Sequence, residues 1–386
     1  MLKMLLFKRA MISSTKKYEK KSNNLPIYSV LIPLYQETEK MESIIDSILK
    51  LNYPQSLLDV KIIVEEDDFE LIDYLTEVQL PSFMQLIIVP FCLPRTKPKA
   101  LNYTLPYCKG EYLVVYDAED KPDENQLLDA IAAFEALPAE YVCMQAKLNF
   151  YNKEENILTR LFSIEYSLWF NYLLKGLSLL DFPVPLGGTS NHFKTNILRK
   201  VGAWDAYNVT EDADLGIRLY LNGYKVNIID SITLEESPIT IKNWLKQRSR
   251  WIKGFIQTFL VFLKQKPDFS KVNYLQLASI YLFMGISSYS FFCIPWAILT
   301  VWDESFWVIN YLWLINSFFT FSYFYAVAFW ILYQTPKLNI LSYLVLVIWP
   351  FYFLLHIIAS YIALVETIIT PFVWNKTKHG QSKFKN

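Results

Sequence analysis

The sequence predicts an α/β protein in two parts, a mostly parallel sheet covered by helices and then an α-helical transmembrane bundle. Three observations predict it. Between about residues 27 and 142, short β-branched apolar runs alternate with stretches of helical apolar spacing. Beyond about residue 272, long aromatic-rich runs carry almost no charge. The apolar fraction of 53% and the aromatic fraction of 17% are high for a soluble chain, and that excess sits in the later runs.

The N-terminal arm, 1–26, is basic with only a brief apolar patch and no cleavage-site pattern, so it reads as an unstructured arm or a short lipid-surface segment. YSVLIPLY (28–35) reads as a buried strand, and 39–51 as a helix with Met41, Ile44, Ile45, Ile48 and Leu49 on one face. DVKIIVEE (59–66), MQLIIVPF (84–91) and EYLVVYDAED (111–120) read as further strands. In such sheets ligands bind beyond the carboxyl ends of the strands, which here carry Glu65, Glu66, Asp67 and Asp68, and Asp117, Glu119 and Asp120.

Residues 151–180 are amphipathic and interrupted by Arg160, Glu165 and Lys175, which suits a packing or interfacial helix. The sheet domain is expected over 27–238 and interfacial helices over 239–272, where basic residues flank Trp244, Trp251 and Phe255. Membrane helices are expected over 273–371: runs at 275–302 and 306–332, then 340–370. The last run reads as a short or re-entrant segment before Pro350 and a full span after it. The connector 301–305 lacks Lys and Arg and should face outside. The lysine-rich tail, 372–386, should face the cytoplasm.

Lys plus Arg and Asp plus Glu number 37 each, so no global field recruits nucleic acid. Cys92, Cys108, Cys143 and Cys293 form no CxxC pair, which fits a reducing compartment, and His192, His356 and His379 are too scattered for a histidine-rich metal centre. With ten glycines and no GxxxxGK[ST] pattern, a P-loop phosphoryl transferase is excluded.

Three segments have residue types suited to chemistry. Asp117 and Glu119 stand one residue apart at a strand end, where two hard-oxygen carboxylates can share a divalent cation with a diphosphate; a solvated acidic turn is the plainer alternative. Asp212 follows Thr210 and Glu211 just before a helical run, so it either caps that helix or takes a proton from a hydroxyl. Gln247, Arg250 and Trp251, in QRSRW, share a helix face that can hydrogen-bond a sugar, grip phosphate and stack on a ring, or simply anchor the helix at a membrane surface.

In this order, ahead of the apolar runs, these segments resemble the membrane-bound inverting family 2 glycosyltransferases, which include the cellulose, chitin and hyaluronan synthases. The resemblance covers roughly 28–260 and extends to PLYQE (33–37), VEEDD (64–68), TKPKALN (96–102) and GGTSNHF (187–193). It implies a GT-A catalytic fold and transfer, with inversion, of a hexose or N-acetylhexosamine from a nucleotide sugar, UDP-linked in the first instance, to a lipid or glycan hydroxyl. Glu37, Glu65 and Glu66 would contact the nucleoside; Lys97, Asp117, Glu119 and Arg250 the rest of the donor. Asp117 and Glu119 would hold Mg²⁺ or Mn²⁺. Asp212, beside Glu211, would be the base, and Gly188, Asn191, Gln247 and Trp251 would face the acceptor.

FVWNKTKHG (372–380) resembles the gating loop of the cellulose synthases, which implies a lid formed by Trp374, Lys376, Thr377, His379 and Gly380; a basic membrane-flanking tail is the alternative. The resemblance further implies an integral membrane protein with its catalytic domain in the cytoplasm (at the inner or plasma membrane if bacterial), in contact with membrane lipids and accessory export proteins. Glutamates stand where the family has aspartates at 65, 66 and 119, no span is read before the sheet, and few are read after it. The competing reading is an inactive membrane scaffold of the same fold, which would have no need of Asp117, Asp212, Gln247, Arg250 and Trp251.

Overall fold

The structure, a computed structural model, describes residues 2–13, 18–19, 24–264, 325, 326, 328–330, 332, 333, 340–371 and 382. The chain divides into two compact units. The sheet unit comprises Lys8–Tyr151 and Leu174–Glu236; the helical unit comprises Met1–Phe7, Asn152–Leu173 and Ser237–Asn386.

The strands are β1 (Tyr28–Leu34), β2 (Leu58–Glu65), β3 (Met84–Val89), β4 (Tyr112–Val115), β5 (Lys121–Pro122), β6 (Tyr141–Phe150), β7 (Asn191–Lys194) and β8 (Lys225–Glu235). The helices are α1 (Leu2–Ile12), α2 (Met41–Leu49), α3 (Phe69–Glu77), α4 (Lys97–Thr104), α5 (Gln126–Ala136), α6 (Ile157–Leu168), α7 (Lys175–Leu179), α8 (Thr195–Lys200), α9 (Glu211–Leu221), α10 (Ile241–Lys264) and α11 (Ile340–Ile369).

In the sheet unit the eight strands run in the order β3-β2-β1-β4-β7-β6-β8-β5. β3, β2, β1 and β4 are parallel, with Tyr28 paired to both Leu58 and Tyr112, so their carboxyl ends reach one edge together. β1 and β2 are buried almost throughout, as expected of strands with helices on both faces. Helix α2 buries Met41, Ile44 and Ile48 at helical spacing, and these join the core formed with Val30, Ile32, Ile62 and Val114.

β7 runs antiparallel to both β4 and β6, which makes the sheet mixed. Its sequence, NHFK, has no apolar run to announce it. Within the segment 187–193, Gly188 lies in a bend while Asn191 already opens the strand. Most of the lysine segment 96–102 lies in helix α4. Thr96 caps it by accepting from the Lys99 amide at 3.4 Å, and Pro98 sits in its first turn, where a missing N–H costs nothing. In α9, a Cβ on Gly216 would stand 2.1 Å from the Val184 carbonyl oxygen, so only glycine admits the backbone that passes there.

In the helical unit, α6 begins with a reciprocal cap between Asn156 and Thr159, and a π-helical turn, Trp169–Leu174, follows it. α11 runs unbroken through Pro350, against the expectation of a break there. One proline removes a single backbone bond, and in so long a helix the apolar turns on either side keep the helix going. Within α11, Val347–Ile369 is long and apolar enough to cross a membrane. The run 275–302, most of 306–332 and the segment 372–380 lie outside the described residues, and with them the expected lid.

Candidate functional site

The site is assembled from strand ends. After β4 the chain turns sharply because Asp120, 1% exposed, accepts from the Asp117 amide at 2.6 Å and from the Thr189 hydroxyl, which also donates to Val115 O. Burial pushes the Asp120 carboxyl well above the ordinary carboxylate range, with Asp117 and Glu119 adding to it. Asp120 therefore holds the turn, and the neighbouring Asp117 and Glu119 each carry a lysine. Lys97 Nζ lies 2.6 Å from Asp117 Oδ1 and 2.8 Å from Gly188 O. Lys40 Nζ lies 3.1 Å from Glu119 and 3.8 Å from Glu37. Burial alone would lower the Lys97 pKa, but Asp117, Asp212 and Glu211 outweigh it and hold the ammonium well above its usual value. At the end of β8, Glu235 is pushed up by burial and then by the charges of Asp120, Glu119 and Asp117.

The end of β2 is engaged differently. Glu65 pairs with Lys99 at 2.6 Å, and burial still raises its carboxyl. Glu66 accepts from the Phe91 amide at 3.0 Å, and Asp67 pairs with Arg95. Asp68 accepts at 2.6 Å from the amide of Gln36, whose φ of 53° turns the chain out of β1 toward Glu37. The Arg95 guanidinium lies over the rings of Tyr35 and Phe91 at 5.5 and 5.4 Å.

Asp212 stands in the first turn of α9, 6% exposed, and accepts from Trp204 Nε1 at 3.2 Å. Burial pushes its carboxyl well above the ordinary range and Glu211 adds to this, while Lys97 and the indole N–H pull the other way. Thr210, at the cap position, makes no side-chain cap. Trp204 is fixed from two sides. Asn102 donates to its carbonyl at 2.7 Å and accepts from its amide at 3.1 Å; Arg218, anchored on Asp214 at 2.6 Å, donates to the carbonyl of Ala203. Asn191 donates to Gly187 O at 2.6 Å, and Gln145 holds the Gly187 amide and the Thr189 carbonyl, which shapes the turn containing Gly188.

Of the residues singled out in the sequence, Lys97 meets Asp117 and Gly188 directly, Lys40 joins Glu119 to Glu37, and Asp212 and Glu211 lie within the electrostatic reach of Lys97. Asp120, noted at its strand end, holds the turn, while Lys40, Lys99, Asn102, Thr189 and Trp204 belong to the same constellation and were missed. Asn102 and Lys99 sat inside a segment already noticed; Lys40 and Trp204 had no local signal.

Gln247, Arg250 and Trp251 lie in the helical unit, on α10. Gln247 is buried, and among the described residues nothing partners its Oε1. Trp251 packs on Phe162 and Tyr166 at 6.0 and 6.1 Å between centroids. The arginine laid over these rings is Arg248, 4.9 Å from Trp251 and 5.2 Å from Phe162, and it pairs with Glu165 at 2.6 Å. Glu165 also accepts from Tyr352, and Lys253, fully buried, donates to the Thr370 carbonyl at 3.3 Å.

Among the described residues no group of three or more His, Cys, Asp or Glu side chains is arranged to hold a metal. Asp117 and Glu119 supply two hard oxygen donors, which fits a hard divalent cation whose remaining ligands come from a bound diphosphate.

Residues 112–374 match the family described as Glycosyl transferase family group 2. Among curated relatives, a probable glycosyltransferase, YdaM, of Bacillus subtilis (strain 168) is 27% identical over 64% of this chain and 60% of its own length. A probable glucomannan 4-beta-mannosyltransferase of Oryza sativa subsp. japonica is 26% identical over 62% of this chain and 42% of its own. The matches thus span less than two thirds of either relative. Among solved structures, the mannosyltransferase PcManGT of Pyrobaculum calidifontis, in complex with GDP-Man and Mn²⁺, superposes with a TM-score of 0.63 at 16% identity and covers 95% of both chains. That likeness shows a GT-A-like α/β fold, and the family match over most of the chain shows that it belongs to glycosyl transferase family group 2.

Proposed function

We propose that the chain transfers a hexosyl group from a nucleotide sugar to a hydroxyl of a lipid or glycan, with inversion, at the cytoplasmic face of a membrane. The observation that carries this reading is Lys97, which bonds Asp117 while standing in the field of Asp212 and Glu211. This supports reading a carboxylate pair suited to a diphosphate and a buried carboxyl suited to proton transfer as parts of one site.

A raised pKa is what a general base near neutral pH needs. Asp212 accepts the proton of the acceptor hydroxyl, the acceptor oxygen bonds to the anomeric carbon, and the bond from that carbon to the diphosphate oxygen breaks, releasing nucleoside diphosphate. One displacement without a covalent intermediate inverts the anomeric centre. Mg²⁺ or Mn²⁺, held by Asp117 and Glu119, would neutralise charge on the departing diphosphate. Gln247, Arg250 and Trp251 keep the acceptor and diphosphate roles that the motif implies, and Trp374, Lys376, Thr377, His379 and Gly380 that of a lid. The apolar helix segment Val347–Ile369 supports the membrane setting.

The Pyrobaculum enzyme holds GDP-Man and a plant relative is named a mannosyltransferase, so GDP-mannose stands beside UDP-hexoses as a donor to test. Purified protein in nanodiscs, given radiolabelled UDP- and GDP-sugars with membrane lipid extract and Mn²⁺, should label a lipid or glycan product from one donor. Absence of transfer and of donor hydrolysis across the panel would favour the inactive scaffold.

A further inference from the structure

Both carboxylates proposed to face the diphosphate are already neutralised, each by a lysine from a different segment: Lys97 opens α4, and Lys40 precedes α2. Exposure separates these pairs from the lysine pair at the end of β2: Glu65, paired with Lys99, is 7% exposed at the side chain, whereas Glu119 is 15% exposed. Asp117 is 34% exposed against 16% for its lysine, so a ligand arriving from solvent meets the carboxylate. Lys97 has a second hold, on the Gly188 carbonyl, and can release Asp117 without losing its anchor.

The ion pairs then set a rule for entry. A divalent cation entering alone has to displace Lys97 from Asp117 and Lys40 from Glu119 while neither ammonium group gains a new acceptor, even though Glu37, Glu211 and Asp212 add negative charge nearby. The same cation entering with a sugar diphosphate, which carries one negative charge per phosphate, offers each lysine a new acceptor.

Resting on the donor-site reading above, we propose that Lys97 and Lys40 are resident counter-cations that exclude a free divalent ion from Asp117 and Glu119 and move onto the diphosphate when metal and nucleotide enter together. Coupling of this kind is reciprocal: the nucleotide tightens the metal by the same factor as the metal tightens the nucleotide.

The test is Mn²⁺ binding to the full-length protein in nanodiscs, read by electron paramagnetic resonance without nucleotide and then with UDP or GDP. Wild type should bind Mn²⁺ weakly alone and at least about tenfold more tightly with one of the nucleotides. Lys97→Met should bind Mn²⁺ alone about tenfold more tightly than wild type and lose most of the nucleotide enhancement. Lys40→Met should shift the same way by less, since Lys40 also has Glu37. Lys97→Arg, which keeps the charge, should stay close to wild type, and thermal unfolding checks that each variant is folded. Asp117→Asn placed on Lys97→Met should abolish the gained Mn²⁺ binding.

Mn²⁺ bound by nucleotide-free wild type as tightly as by Lys97→Met would overturn the exchange while leaving the donor site standing, and so would a gain that survives Asp117→Asn. If neither nucleotide tightens Mn²⁺ in any form, the donor-site reading itself falls and the exchange falls with it.

Discussion

The two units hold their buried charges in opposite ways. In the helical unit Glu165 is satisfied several times over, by Arg248 at 2.6 Å, by the Tyr352 hydroxyl and by His356 at 3.4 Å. Burial alone would raise its pKa, but the Arg248 charge and these partners outweigh it and hold the carboxyl down to about 2. In the sheet unit burial pushes the Asp212 carboxyl up, Glu211 and Asp117 add to it, and Lys97 and the Trp204 N–H do not outweigh them. A carboxylate whose folded-state pKa is depressed stabilises the fold; one whose pKa is raised opposes it and persists where its reactivity is needed. The contrast separates structural charges from reactive ones.

The largest expected effect comes from neutralising the reactive charge. Asp212→Asn should lower turnover by about two orders of magnitude or more, the scale of losing a positioned base, with nucleotide binding little changed. Asparagine keeps an oxygen for the Trp204 N–H and removes a carboxyl that burial disfavours, so the variant should also melt higher, by roughly 2–4 °C. Calorimetric unfolding beside a transfer assay reads both. Near-normal turnover would remove Asp212 from its role; a lower melting temperature would break the contrast.

Glu165→Gln should act in the reverse direction, destabilising the helical unit by about 2–3 kcal/mol, somewhat less than for a fully buried pair because both side chains keep some contact with solvent. The pH dependence has a definite sign. The folded-state pKa of about 2 lies below the ordinary 4.5, so the stabilisation is complete above 4.5 and is lost as pH falls toward 2. Acid unfolding of wild type should therefore steepen over that window, and Glu165→Gln should flatten it. Equal acid profiles for the two proteins would show that Arg248 and its partners do not depend on the Glu165 charge.

Much of the parallel half of the sheet was legible in the sequence, because continuous β-branched runs leave a local signature. β7 was not, since four residues between two other strands carry no period, and neither was the helix through Pro350, where local propensity yields to long apolar flanks. In the site the acidic strand ends were legible for the same local reason. Lys40 was not, being 79 residues from Glu119 in sequence, and neither was Trp204, whose backbone groups are fixed by Asn102, 102 residues earlier. Arg250 drew attention through its motif, whereas Arg248 emerged only from the packing of rings around it.

The smallest expected effect tests how finely Asp212 is tuned. Trp204 is 2% exposed, packs edge-on against Phe193 at 6.0 Å and gives Asp212 its indole N–H. A hydrogen bond to a carboxylate favours the charged form, so it lowers a pKa that burial has raised. Trp204→Phe keeps most of the apolar contact and removes only the donor. The Asp212 pKa should then rise further, and the acid limb of the rate profile should move to higher pH. Below that limb the variant should be slower by about three- to tenfold, the scale of one hydrogen bond to a charged group, and it should recover most of the wild-type rate above it. A purely structural role would lower the rate equally at every pH. A profile with an unmoved acid limb would mean that Trp204 holds Asp212 in place without setting its proton affinity.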